Sequence, residues 1–278
     1  MREQPLDIAD LERMAAQIRW DIIDMTYQAQ AGHPGGSLSA ADIVTALYFR
    51  VMRLDPARPQ WPDRDRFILS KGHACPAWYA ALAEKGYFDK KHLGTLRQLD
   101  SILQGHPDML KTPGVDMSTG ALGHGLSVGL GMALAARLQG RDFRVWVLTG
   151  DGEAQEGSIW EAAMAAAAHR VDNLTAILDR NRIQNDDFVD NVLPMEPLAA
   201  KWEAFGWQVV EIDGHDMAQV VSALEGSRAV KGKPVVIIAH TVKGKGVSFM
   251  ENNPAWHGRA PNDQEAAQAL AEIRSVQR

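Results

Sequence analysis

Val145-Trp146-Val147-Leu148-Thr149-Gly150-Asp151-Gly152 is the stretch on which the fold turns, and its counterpart is Leu174-Thr175-Ala176-Ile177-Leu178-Asp179-Arg180-Asn181. The short apolar runs Val145 to Leu148 and Leu174 to Leu178 suit buried parallel strands. The first runs straight into a glycine pair, and glycine lets a backbone approach a ligand closely. A helix-like segment, Trp160 to His169, lies between the two. If the strands are parallel neighbours, Asp151 and Asn181 emerge together at the carboxyl edge of one sheet, where ligands of open α/β sheets bind. A carboxylate and an amide are hard oxygen donors. They suit Mg²⁺, which keeps waters and takes its remaining ligands from phosphate oxygens. Gly-Asp-Gly also ends strands in proteins that bind nothing there, so the informative feature is the pair at βαβ spacing. It points to a site for Mg²⁺ and a diphosphate, with several nucleotide-like ligands still open.

Outward from that core, Ile8, Leu11, Met14, Ala15, Ile18, Ile22 and Met25 recur at steps of three and four and predict a docked amphipathic helix ending near Gly32. Ser39-Ala40-Ala41-Asp42 reads as a capping box ahead of Ile43 to Phe49, so a second helix is expected just after a glycine-rich turn at His33 to Gly36. Pro56, Pro59 and Pro62 mark an extended connection into a strand at Phe67-Ile68-Leu69. Trp207 to Ile212 and Val235 to Ala239 are further strands, separated by a helix around Asp216 to Leu224. The fold class is therefore α/β, a doubly wound, mostly parallel sheet flanked by helices, with residues 1–278 forming a single domain behind an N-terminal helical segment. The long glycine-bearing stretch from His240 to Pro261 reads as a functional loop.

Composition narrows the function classes. The chain has 278 residues, 46% hydrophobic and 23% charged, enough for a sizeable core. Its net charge of -6 argues against a nucleic-acid or anionic-membrane role. The single cysteine, Cys75, excludes an internal disulfide framework and reads as a small buried hydrophobe in a reducing compartment. Met1 to Arg13 carries no apolar run of a secretory signal, so a cytoplasmic location is expected. Ala121 to Leu138 is apolar, but its glycines, His124 and Arg137 suit a helix packed on a sheet better than a membrane span.

Five of the nine histidines stand in turns of glycine, proline or small residues: His33, His73, His106, His124 and His257. Neutral imidazoles relay protons near neutral pH, and imidazolium ions stabilise phosphates or developing oxyanions. No His or Cys spacing suggests zinc, no serine elbow is present, and a dinucleotide fingerprint at Gly123 to Gly131 fails at Val128.

In motif order, Gly32-His33-Pro34-Gly35, Gly72-His73-Ala74, Gly105-His106-Pro107, Thr119-Gly120-Ala121-Leu122-Gly123, the Gly-Asp-Gly to Asn181 pair and His257-Gly258 resemble the amino-terminal, diphosphate-binding half of the transketolase family. The resemblance runs from about Met14 to Gly258. It implies a thiamine diphosphate enzyme that moves two-carbon ketol units between sugars or sugar phosphates. It further implies Asp151, Asn181 and the carbonyl of Ile183 as ligands of Mg²⁺, or of another divalent ion such as Ca²⁺ or Mn²⁺. Gly152, His73 and His257 would meet the diphosphate, Gly120 the aminopyrimidine, and Leu122 would shape the bent coenzyme; Ala121, Gly150 and Glu153 fall in the same coenzyme-binding motifs. His33, His106 and His257 are the implied catalytic histidines, with His33 and His106 lining the substrate channel. Glu156 and Glu161 resemble interface acids of the family, and also read as a solvated first helical turn.

Two departures qualify the likeness. His124 stands where many family members carry glutamine. Single-chain members continue into a pyrimidine-binding and a carboxy-terminal domain, which hold the activating glutamate and the phosphate-gripping arginines. The expectation is thus a split enzyme, in which a carboxy-terminal subunit supplies the pyrimidine-binding domain, two copies of each chain forming a heterotetramer. A subunit of a deoxyxylulose-phosphate synthase-like enzyme or of an oxoacid dehydrogenase, and a non-catalytic binding module, stand as alternatives.

Overall fold

The computed structural model describes residues 5–276; residues 1–4 and 277–278 of the expected domain, including the start of the charged amino terminus, lie outside them. Five strands form one sheet: β1 (Arg66–Leu69), β2 (Val145–Gly150), β3 (Leu174–Arg180), β4 (Gln208–Asp213) and β5 (Val235–His240). Their order is β1-β2-β3-β5-β4 and every pairing is parallel. The register of the two central strands runs from Val145 opposite Leu174 to Gly150 opposite Asp179. Asp151 and Asn181 therefore leave the sheet side by side, as their spacing predicts.

Period-2 alternation of buried side chains splits the core into two layers. Phe67, Leu69, Trp146, Leu148, Ile177, Val235 and Ile237 face one layer, with α1 (Ile8–Ala29), α2 (Pro34–Ala46), α3 (Cys75–Lys85), α8 (Met217–Ser227) and α9 (Asp263–Val276). Ile68, Val145, Val147, Leu174, Ala176, Leu178, Val236 and Ile238 face the other, with α4 (His124–Leu138), α5 (Gly157–Ala168) and α7 (Leu198–Ala204); a single turn, α6 (Val189–Val192), lies between β3 and α7. Covering both faces is what keeps β2 and β3 buried throughout, whereas the edge strand β4 is largely part-exposed. Each fully buried Leu, Ile or Val contributes about 1.5–3 kcal/mol relative to exposure. Among the described residues no helix is long and apolar enough to cross a membrane.

The second helix corrects the capping-box reading. It starts at Pro34, five residues before Ser39, and all thirteen of its residues are buried. Proline at the first helical position needs no N–H partner, so it sets the start without a side-chain cap. Ser39 and Asp42 are spent on tertiary contacts: Ser39 Oγ donates to Asp179, and Asp42 pairs with Arg19 and with His215 Nδ1 at 2.7 Å. The turn read as His33 to Gly36 thus shrinks to Gly32 and His33. The 240–261 stretch is an ordered strap, with Val247, Met250 and Trp256 buried and the Gly244 N–H bonded to Gly35 O at 3.0 Å.

Candidate active site

At the ends of β2 and β3 the oxygens expected to bind metal are held in place by the backbone. Asp151 is buried; its Oδ1 accepts from the Gly152 N–H at 2.8 Å, and its Oδ2 accepts from the Arg182 N–H and from the Arg180 guanidinium at 3.1 Å. Burial and the like charge of Asp179 push its carboxyl up, against the pull of Arg182 N–H and Arg180. Asn181 Oδ1 accepts from the Ile183 N–H at 3.1 Å, which turns its amide nitrogen toward Asp179 at 3.2 Å. The Ile183 carbonyl receives Lys243 Nζ at 2.9 Å. Gly152 has to be glycine, because a Cβ there would stand 2.8 Å from the Gln184 side chain.

Two lysines that the motifs did not single out bring cations to this edge. Lys71, just after β1, is buried against Asp179 and donates to Gly36 O at 2.8 Å. Burial raises the Asp179 carboxyl, but the Lys71 charge and hydrogen bonds from Lys71, Ser39 and Thr241 outweigh it and hold the group below its ordinary range. Lys243, just after β5, is buried 2.6 Å from His257 Nδ1. Burial, reinforced by Lys71, pulls its ammonium down to about 7. Their position directly beyond strand ends at the same edge is a readable signal; their burial is not.

The histidines converge. Ring centroids of His33 and His73 are 5.3 Å apart, His33 and His257 5.5 Å, His73 and His257 5.0 Å, and His33 and His106 6.5 Å. His33 enters from the N-cap of α2 and His73 from a short 3₁₀ turn; His106 lies in a loop, and His257 lies on the strap. Burial lowers all four. It takes His33 to about 4 with help from Arg97, and His257 to about 3 with help from Lys243. It takes His73 well below its usual value, aided by Lys71, and lowers His106, aided by Arg97. The imidazolium role is therefore corrected for this cluster: burial favours the neutral ring in all four, suited to hydroxyl hydrogen bonds and proton relay, while the basic side chains beside them are lysines, of which Lys243 is itself close to its titration at neutral pH.

Gly120 sits against His106, where a Cβ would lie 3.2 Å from the ring, and its φ of +151° favours glycine. Ala121 and Leu122 are exposed on the rim of the same loop. His124 is exposed at the start of α4, as are Glu156 and Glu161 at the start of α5. Glu153, expected at the coenzyme, instead has its carboxylate engaged by protein donors from Ser70, Gly123 and Gly150.

The donor set fits a divalent ion and a diphosphate. Its carboxylate, amide and carbonyl oxygens are the hard ligands Mg²⁺ prefers. Because only one of the three is an acidic side chain, the lack, among the described residues, of any group of three or more His, Cys, Asp or Glu that could hold a metal ion is expected. Three of the buried polar atoms without a protein partner lie here, His33 Nδ1, Thr119 Oγ1 and Gln184 Oε1, while others are spread through the core, as at Trp146 Nε1 and Asn173 Oδ1. Those three are open to partners that a ligand in this site would supply.

Comparison with known proteins agrees with this geometry. Residues 11–274 match the family model described as transketolase, thiamine diphosphate binding domain. A subunit of an apulose-4-phosphate transketolase from Actinobacillus succinogenes is 46% identical over 99% of this chain and 99% of its own length. A 6-deoxy-6-sulfo-D-fructose transketolase subunit from Clostridium sp. (strain MSTE9) is 45% identical over 98% of each. The crystal structure of transketolase from Campylobacter jejuni superposes with a TM-score of 0.91 at 33% identity, covering 97% of this chain and 43% of that one. The chain thus spans less than half the length of that solved enzyme.

Proposed function

Because the chain belongs to the transketolase family, through its thiamine diphosphate-binding domain, we propose that it is the amino-terminal subunit of a two-subunit transketolase. The observation that carries this reading is the joining, at one sheet edge, of the Asp151, Asn181 and Ile183 oxygens to a cluster of neutral histidines. Asp151, Asn181 and the Ile183 carbonyl would hold Mg²⁺ or a similar ion, and Lys71 and Lys243 would balance the diphosphate. Thiamine diphosphate, when bound, supplies the carbon–carbon bond chemistry. The chain's own part is to position and to move protons. His33 and His106 are placed to bond sugar hydroxyls, and His73 and His257 to meet the diphosphate.

The relatives of matching length are named as subunits, which supports a second chain as partner; a complex of two copies of each belongs to the proposal. Both are named for ketoses bearing an anionic group, a sulfo group in one and a phosphate in the other. An anionic ketose is accordingly the donor class proposed here, with an aldose or its phosphate as acceptor. A reducing, cytoplasmic setting suits the lone thiol Cys75, which burial pushes up to about 12.

The test is to purify the chain with and without its co-purifying partner and supply thiamine diphosphate, Mg²⁺, a ketose phosphate and an aldose phosphate. Two-carbon transfer by the complex, and none by the chain alone, is expected. Robust turnover by the isolated chain would overturn the two-subunit reading, and release of CO₂ from an oxoacid would overturn the transferase reading.

A further inference from the structure

Glu153 lies behind the site, buried in the short turn that follows Gly152. Its carboxylate touches three segments that are far apart in sequence. Oε1 accepts from the Ser70 hydroxyl and from the Gly123 N–H at 2.8 Å, while Oε2 accepts from the Gly150 N–H at 3.0 Å. Ser70 Oγ accepts in turn from the Gly125 N–H at 3.1 Å. Packing reinforces these bonds: a Cβ on Gly123 would stand 2.6 Å from Glu156 Cβ, and one on Gly125 would stand 2.3 Å from Ser70 Oγ. Ser158 Oγ closes the same loop by donating to Gly123 O at 3.1 Å.

We propose that Glu153 is a positioning residue that sets the spacing between the two ends of the coenzyme site, the Gly150–Gly152 turn at the metal and diphosphate and the Gly120–Leu122 loop at the aminopyrimidine. This rests on the thiamine diphosphate reading above. Three donors converge on the carboxylate, and a carboxylate is the side chain that only accepts. Glutamine has the same shape but would turn an NH₂ onto either the Gly150 N–H or the Gly123 N–H, so one arm of the clamp opens. Glu153 itself needs no contact with the ligand. A ligand that spans both ends senses their register, whereas one held at the metal end does not.

The experiment uses the two-chain complex carrying Glu153→Gln and titrates two probes by calorimetry in Mg²⁺: thiamine diphosphate, and inorganic pyrophosphate as the one-ended ligand. The Kd for thiamine diphosphate should rise about 10–100-fold, the range seen when groups supporting a ligand shell are removed. The Kd for pyrophosphate should change less than about threefold, a few tenths of that energy. Hydrogen exchange should quicken at the Gly123 or the Gly150 amide, whichever faces the new NH₂. An unchanged affinity for thiamine diphosphate overturns the proposal, and so does equal weakening of both probes, which is the mark of general support for the metal turn. If the wild-type complex binds no thiamine diphosphate, the coenzyme reading falls and this proposal with it, whatever the exchange data show. Should the variant fail to fold, Ser70→Ala, which removes the hydroxyl's bond to Glu153 and the acceptor of the Gly125 N–H, is to show the same split between probes, with thiamine diphosphate weakened by about 3–10-fold; its absence overturns the proposal equally.

Discussion

At the amino edge of the sheet Arg53 grips Asp142 through two nitrogens at 2.7 and 3.1 Å, Arg228 meets Asp65 at 2.9 Å and Arg58 meets Asp55 at 2.7 Å. At the carboxyl edge Lys71 and Lys243 lower the basicity of their neighbours, and four imidazoles share one small volume. The amino edge holds a cleft of about 1240 Å³ lined by Arg50, Arg144 and Trp61 among others, which by size alone invites a ligand. Its charges are largely matched within the protein, however, and matched surface pairs serve mainly local structure. The carboxyl edge keeps its bases neutral by burial and like charge, and that departure from ordinary titration marks the chemistry better than the width of an opening.

The contrast can be broken by substitutions at each edge. His33→Ala should lower turnover of the two-chain enzyme by about 10²–10⁴-fold, the range for a lost proton-relay group, with the unfolding midpoint little changed. A loss under tenfold would remove His33 from the chemistry. Asp65→Ala at the amino edge should do the reverse. Asp65 is buried and accepts from the Arg53 and Arg144 N–H groups at 3.0 and 2.9 Å as well as from Arg228, so its removal should cost about 3 kcal/mol in urea unfolding. Coenzyme affinity should stay within about twofold; a larger shift would join the two edges.

Asp151→Ala should weaken Mg²⁺-dependent thiamine diphosphate binding by about 100-fold in calorimetric titration, with the fold retained by circular dichroism. Binding that survives without Mg²⁺ in the wild type would contradict the metal role. The smallest effect is a pH slope. His33 and His257 are lowered to about 4 and about 3, so between those values and 6.5 the unfolded chain binds more protons than the folded one. Their contribution is fully present above pH 6.5 and is lost as the pH falls toward 4. Urea midpoints of the His33→Asn, His257→Asn double variant should fall less between pH 7 and 5 than those of the wild type; parallel slopes would show that the rings are not held neutral.

Much of this is legible in the chain. β2 and β3 announce themselves because strands covered on both faces are apolar without interruption, and the histidines do so because each sits in a turn that no packing argument requires. The start of α2 misleads because Ser39 and Asp42 look like local caps, yet their partners, Asp179 and Arg19, lie on other elements. Lys243 shows why part of the site stays hidden. A lysine in a loop reads as solvated, and only the packing of the strap against α2 and β3 makes it a buried amine lowered to about 7. Glu153 is similar: its sequence neighbours point to the ligand, but the carboxylate is turned back into the protein by Gly123 and Gly150.

The strap bears on how the protein is made. Leu69 of β1 finds its partner only at Leu148, and His33 and His73 meet His257 only after the strap has crossed α2. Pairings so distant along the chain form slowly and late. On the ribosome, which releases a chain from its amino end, the nascent polypeptide therefore exposes a partial cup for most of its synthesis. The histidine cluster is complete only once residue 257 has emerged, so its assembly reports that translation and folding have both run past that point.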